Sequence, residues 1–218
     1  MKGLYIKDLK LMKNQKSFFL VIGLLAIFFA VTQTNSFFVI SYVTVVSSMF
    51  VISSISYDEF NNGNTFLFTL PISKKTYVKE KYLLGISLSV GAWLIGMLLV
   101  GGSNIIKGTE FLFGEWLLSC TIILLIALLL LSVIIPVQLK FGQNKGNIAM
   151  LLVMGGIFVI GYVVVKVTSS MGIDIVSKIN ALNTMGLAGL VSILILVILI
   201  INIVSYLLSC KIMINKEF

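Results

Sequence analysis

The chain has 218 residues, of which 59% are apolar and 11% charged, with a formal net charge of +8 and a mean hydropathy of +1.11. That composition excludes an ordinary soluble domain and describes a polytopic membrane protein. It also speaks against a nucleic-acid binder, because no polar segment is long enough to fold into a domain that would carry the positive charge.

Residues 1–16 place Met1, Leu4, Tyr5, Leu9 and Met12 on one face of a helical wheel and Lys2, Lys10 and Lys13 on the other. This pattern suits a helix lying in the membrane interface; a solvated Lys run that only signals topology is the alternative. A poor small-residue cleavage site and the immediate start of another apolar run predict that the segment is retained, not removed as a signal peptide. Six apolar runs then follow at 17–31, 37–56, 82–100, 116–137, 148–165 and 187–208. Each reads as a helix crossing a hydrocarbon core of roughly 30 Å. Only Thr32 to Ser36 separates the first two, which predicts a tight helical hairpin. The expected fold class is therefore an all-α membrane protein with six transmembrane helices and an N-terminal interfacial helix, the whole of 1–218 forming one domain. The runs lack the alternation that a β-barrel needs.

Every basic residue is Lys, and placing the N-terminus in the cytoplasm puts thirteen of the sixteen there, leaving Lys107, Lys166 and Lys178 outside. The positive-inside bias then predicts a multi-pass cell-membrane protein with both termini cytoplasmic.

The inventory for catalysis is thin. There is no His, and Cys120 and Cys210 fall at opposite ends of their spans, so neither a disulfide nor a metal site is expected. No Asp, Glu or Lys falls within the six runs, which argues against a proton-driven carrier. A phosphate-binding G-x-x-x-x-G-K-[ST] loop is also absent. The polarity left in the spans is hydroxyl and amide: Ser41, Thr44 and Ser48 in the second, and Asn202, Ser205 and Ser209 in the sixth. Ser41, Thr44, Ser48, Asn202 and Ser205 are candidates for a weakly polar translocation path, or else packing groups whose hydroxyls bond to backbone carbonyls. In the third span Gly85, Ser89, Ala92 and Gly96 form a small-residue stripe that reads as a helix-contact face, within the bundle or to a second copy.

The longest polar interval, "YDEFNNGNTFLFTLPISKKTYVKEKYLLG", runs from Tyr57 to Gly85. Pro71 divides it, since proline does not fit a helix interior and biases Leu70 away from helix. Upstream, Phe60, Gly63, Leu67 and Leu70 fall along one side of a segment too short to span. Downstream, Ser73 is the expected N-cap of a helix entering the third span, with Lys74, Lys75, Lys79 and Lys81 at phosphate height. Asp58 and Glu59 would be repelled by anionic lipid there, so they are expected to meet a protein partner or a Lys of the same loop.

These residues carry a resemblance. The interval is similar to the first cytoplasmic loop of small bacterial exporter permeases of the second ABC class, in which an acidic residue closes the second span, a coupling helix follows, and an "LP-[IV]-S-[RK]" turn leads to a "K-Y" start of the third. Here the matching positions are Glu59, the segment 60–70, Leu70, Pro71, Ile72, Ser73, Lys74, Lys81 and Tyr82. The plan of six spans behind an interfacial helix matches as well. Where such permeases have a re-entrant hairpin between spans five and six, "KVTSSMGIDIVSKINALNTM" is amphipathic only in part.

The resemblance implies a permease domain over 1–218 with a cytoplasmic coupling loop at 57–81. It implies a transport subunit that is not an enzyme and holds no cofactor, ATP and Mg being bound by a partner ATPase. Asp58, Glu59, Phe60, Asn61, Asn62, Phe66, Leu67, Leu70 and Pro71 would contact that ATPase. A second permease subunit, identical or not, would complete the membrane part, and the cargo would be amphipathic peptides or other hydrophobic molecules. The inner loop 138–147 is a second possible contact. Two other classes fit the span count: a substrate-capturing subunit of a vitamin importer, which would bind its small molecule alone, and a bacteriocin-immunity protein, which would protect cells without any ATPase.

Overall fold

The computed structural model describes residues 1–32, 36–60, 63–107, 113–170 and 186–216, and among them there is helix and no strand. In chain order the helices are α1 (Lys2–Asn14), α2 (Lys16–Thr32), α3 (Ser36–Ser48), α4 (Phe50–Glu59), α5 (Gly63–Thr69), α6 (Lys74–Lys107), α7 (Phe113–Ser170) and α8 (Gly186–Ile214). Helices are what a lipid-embedded chain must form, because only intra-segment bonding satisfies every backbone N–H and C=O without water.

Among the described residues four helices are long and apolar enough to cross a membrane: Phe37–Glu59, Lys74–Asn104, Trp116–Gly142 and Val191–Ile214. They match four of the six expected spans, and the second runs on past residue 56 to Glu59, with α3 and α4 joined almost continuously through Met49. The expected first span coincides with α2, which meets α1 at 65°, so that these two helices count as a further crossing only when taken together. The run 148–165 is helical and lies in α7 beyond Gly142, whose φ of 67° breaks that helix in two. The hairpin residues 33–35, the outer residues 108–112 and most of the expected re-entrant segment, 171–185, lie outside the described residues.

α6 is the axis of the bundle. Its first half contributes Tyr77, Val78, Tyr82 and Leu84 to one core, with Leu4 of α1, Val51 and Ile55 of α4, Leu67 of α5, Leu131, Ile135 and Leu139 of α7, and Cys210 and Met213 of α8. Its second half contributes Ala92 and Val100 to another core, with Ala26, Ala30, Val39, Ile40, Val43, Trp116 and Cys120. The two cysteines thus sit in different cores and are unbridged. The small-residue stripe is a contact face inside the bundle, as one of its two readings held. A Cβ on Gly96 would lie 3.3 Å from the Ile40 Cα, and one on Gly85 would lie 3.1 Å from a Leu131 methyl and 3.2 Å from Val51. Ser89 and Ala92 between them are buried.

Pro136 inside α7 explains a contact that periodicity does not reveal. Proline has no N–H, so the carbonyl of Ser132 loses its helical donor. The Ser205 hydroxyl of α8 donates to that carbonyl instead. Ser205 and Ser209 also bond the Tyr82 hydroxyl, at 2.6 and 2.9 Å, which ties α6, α7 and α8 together.

Candidate functional site

The site is assembled where α4 ends. Phe60 takes an extended conformation (φ −60°, ψ 134°) while its N–H still donates to the Ser56 carbonyl, and the helix stops. Asn61 and Asn62 lie outside the described residues. α5 then starts against the end of α4: a Cβ on Gly63 would lie 2.7 Å from the Asp58 carbonyl oxygen, an approach that only glycine allows. α5 is seven residues long. Beyond it Leu70 and Pro71 form a tight turn, with the Ile72 N–H donating to the Leu70 carbonyl at 2.6 Å. Ser73 is the N-cap that the sequence predicts: the Thr76 N–H donates to its Oγ at 3.2 Å and the two hydroxyls bond at 2.7 Å.

α5 has an inner and an outer side, but not the expected ones. Leu67 and Asn64 are buried, and Phe68 packs edge-on against Tyr77 with ring centroids 5.7 Å apart. Phe66 is 71% exposed, Phe60 60% and Leu70 44%, and Pro71 is exposed too. The stripe Phe60, Gly63, Leu67 and Leu70 is therefore not one face. Leu67 anchors the helix, and Phe60, Phe66 and Leu70 form the apolar outer surface. Helical periodicity does not persist through the extended Phe60 and the Leu70–Pro71 turn, which is why the wheel grouped them wrongly.

Directly beneath lies an ionic junction. Lys81 of α6 is fully buried, and its Nζ lies 2.5 Å from Asp8 Oδ2 and 2.8 Å from Asp58 Oδ2. It also donates to Ser54 Oγ at 2.6 Å, and Ser54 donates to Asp8 Oδ2 at 2.8 Å. Lys7 of α1 pairs with Asp58 and lies 3.2 Å from Asp8 Oδ1. The Tyr77 hydroxyl donates to Asp58 at 3.1 Å. Glu80 is buried beside Lys81 at 3.5 Å. Burial by itself would raise the Asp8 carboxyl, but Lys81, then Lys7, and the Ser54 hydroxyl hold it below the usual carboxylate range.

Glu59, one residue further, turns the other way. Its Oε1 lies 2.7 Å from Lys216 Nζ, and Lys216 also donates to the Leu139 carbonyl of α7 at 3.0 Å. The left-handed backbone at Gly142 makes room for this carboxylate, since a Cβ there would lie 2.8 Å from Glu59 Oε2. Lys74 donates to the carbonyls of Ile214 and Lys216, at 3.2 and 2.7 Å, holding the end of α8 against the start of α6. Gln138, expected on an inner loop, lies within α7, is buried and donates to Ser56 Oγ at 3.0 Å.

Several expectations are corrected by this geometry. Lys81 does not face outward beside Lys75 and Lys79 but is buried inside the bundle, where it pairs with Asp8 and Asp58. Asp58 and Glu59 are paired within the chain, and their side chains are only 9% and 12% exposed. Of the two readings of that pair, pairing with a Lys of the same loop holds for Asp58 through Lys81, whereas Glu59 takes Lys216. The absence of charge within the six runs also concealed charge at their edges: Glu80 and Lys81 are the two residues immediately before the third run, and both are buried. Asp8 was missed altogether. Its signal was available, because it follows Leu4 by one helical turn and so lies on the apolar side of α1, alone among lysines.

The hydroxyls proposed for a translocation path bond mostly to backbone. Ser41 donates to the Phe37 carbonyl, Thr44 to Ile40 at 2.7 Å, Ser48 to Val45 at 2.7 Å, and the Asn202 amide to Ile198 at 2.9 Å. Ser205 likewise donates to the Ser132 carbonyl.

No curated protein and no solved structure matches the chain. A family model does, that of an ABC-2 family transporter protein, over residues 3–214. That range takes in α1, the ionic junction, α5 and every helix of spanning length, so the chain belongs to the ABC-2 family of transporter membrane proteins.

Proposed function

We propose that the chain is the transmembrane subunit of an ATP-driven exporter, worked by a separate cytoplasmic ATPase through α5. Membership of a transporter family supports the transport role and the pairing with an ABC ATPase. The observation that carries the rest is the shape of α5. A seven-residue helix between two helices of spanning length is fixed inward by Leu67 and offers Phe60, Phe66 and Leu70 outward. Three apolar side chains beside exposed lysines are poor neighbours for water and good anchors for a groove in a protein. Six spans follow if α1 lies in the interface, α2 crosses, and the 148–165 part of α7 crosses back; both termini are then cytoplasmic in the cell membrane. A second permease subunit, of this chain or a relative, completes the path. The cargo is amphipathic peptide or another hydrophobic molecule, in keeping with spans in which Ser41, Thr44, Ser48 and Asn202 bond to backbone. ATP and Mg are held by the partner, and this chain has no hydrolytic role.

The test is purification of the chain from its native cells in mild detergent, with identification of what accompanies it. One ATPase that is retained by the wild type and lost from Phe66→Asp is the expected result. A wild-type chain that arrives with no ATPase overturns the reading, and saturable small-molecule binding by the chain alone favours a substrate-capturing subunit instead.

A further inference from the structure

Two neighbouring carboxylates at the end of α4, immediately before α5, reach four other helices in opposite directions. Asp58 takes Lys7 of α1 and Lys81 of α6. Glu59 takes Lys216, just beyond α8, whose ammonium also bonds the Leu139 carbonyl of α7. A displacement of α5 therefore reaches this end of the bundle through these two adjacent residues, besides the packing of Leu67 and Phe68 in the core.

The two arms differ in what it costs to open them. Lys81 lies fully buried between Asp8 and Asp58, so drawing it away takes an ammonium from two carboxylates with no water to replace them, which the interior of a membrane bundle tolerates poorly. The Glu59–Lys216 pair, by contrast, borders water, Lys216 being 28% exposed where Lys81 is fully buried. Gly142 adds to this asymmetry. The Glu59 carboxylate sits at the point where α7 breaks, so the segment holding it is already separated from the regular helix on either side.

We propose that Asp58 and Glu59 divide the stroke delivered at α5. Asp58 is a fixed joint that carries α1 and α6 along with α4, and the Glu59–Lys216 pair is a latch onto α7 and α8 that opens during the cycle. Glu59 and Lys216 are positioning residues here, acting through helix placement and touching no cargo. The inference rests on α5 being the ATPase contact.

The test uses the native complex in lipid nanodiscs and reads the reactivity of Lys216 towards an amine-acylating reagent by mass spectrometry, relative to exposed Lys13. A paired ammonium acylates slowly. The expected result is slow labelling of Lys216 without nucleotide and severalfold faster labelling when the ATPase is trapped with ATP, Lys81 staying unlabelled in both. In Glu59→Gln, Lys216 should label fast whatever the nucleotide, and the readout that a merely structural pair would not move is the nucleotide dependence of the wild type. Equal labelling of wild-type Lys216 in the two states, with the ATPase present, overturns the latch and leaves the exporter reading standing. Labelling of Lys81 on trapping overturns the fixed joint. Absence of any ATPase from the wild-type sample overturns the exporter reading, and the latch with it.

Discussion

Lys81 Nζ lies 2.5 Å from Asp8 Oδ2, a contact between fully buried side chains that fastens the start of α6 to the middle of α1. A buried pair is weak evidence for stability when compared with a well-packed apolar replacement, but breaking one side of it is costly because the other charge is stranded. Lys81→Met should therefore destabilise the chain by about 3–5 kcal/mol. Asp8→Leu combined with Lys81→Met should recover most of that loss, since Asp58 keeps Lys7. Denaturant unfolding in detergent micelles measures both, and a single Lys81→Met variant as stable as wild type would show that the junction does not hold the helices.

The same junction gives α1 a pH dependence of known sign. The Asp8 carboxyl is held below its ordinary value of 3.8, chiefly by Lys81 acting against the effect of burial. A depressed folded value means stability that is fully present above about 3.8 and lost as the pH falls through the lower folded value. The groups facing it are Lys81 and Glu80 of α6, Lys7 of its own helix, and Ser54 and Asp58 of α4. Unfolding of wild type and Asp8→Asn compared from pH 6 to pH 3 should show a gap that is constant down to about pH 4 and closes below it. A gap that widens on acidification contradicts the assignment.

Neighbouring residues of α5 should respond in opposite ways. Phe66 is 71% exposed and Leu67 is 9% exposed, packed in the core of Tyr77, Leu131 and Met213. Leu67→Asp buries an unpaired carboxylate and removes a core side chain, so it should cost at least about 3 kcal/mol and lower the yield of folded protein. Phe66→Asp should leave the unfolding midpoint within about 0.5 kcal/mol of wild type and remove ATPase co-purification. Equal losses of stability in the two variants would mean that α5 does not present Phe66 outward.

The presence and approximate place of α3 to α4, of α6, of the first part of α7 and of α8 were legible because a membrane span is written as uninterrupted apolar sequence, the strongest local signal a chain carries. The Ser73 cap was legible for a similar reason, being a local contact between residues three apart. What was not legible depends on partners distant in sequence. Lys81 looked like one lysine among four at a lipid surface, and only the approach of Asp8, 73 residues earlier, shows why this one turns inward. Glu59 and Lys216, 157 residues apart, are the same case. The inner side of α5 was misread because the wheel was carried through Phe60 and Leu70, where the backbone is not helical.

The stripe on α6 gives a prediction that turns on a few tenths of an ångström. Gly91 and Gly96 lie in the same helix, and in an exposed helix each would gain from replacement by alanine by roughly 0.5–1 kcal/mol, because glycine loses more backbone freedom on folding. A Cβ at Gly91 meets nothing within 4 Å, whereas one at Gly96 lies 3.3 Å from the Ile40 Cα and 3.6 Å from its Cγ2. A backbone atom cannot rotate aside, so α3 as a whole must retreat from α6. Gly91→Ala should be neutral or mildly stabilising. Gly96→Ala should forfeit the propensity gain, and Gly96→Val should lose about 1–3 kcal/mol as the core of Ala92, Val39 and Ile40 is forced apart. Unfolding midpoints of the three variants in the same detergent decide it. If Gly96→Val is as stable as Gly91→Ala, α3 and α6 do not pack at that separation and the stripe is not their contact face.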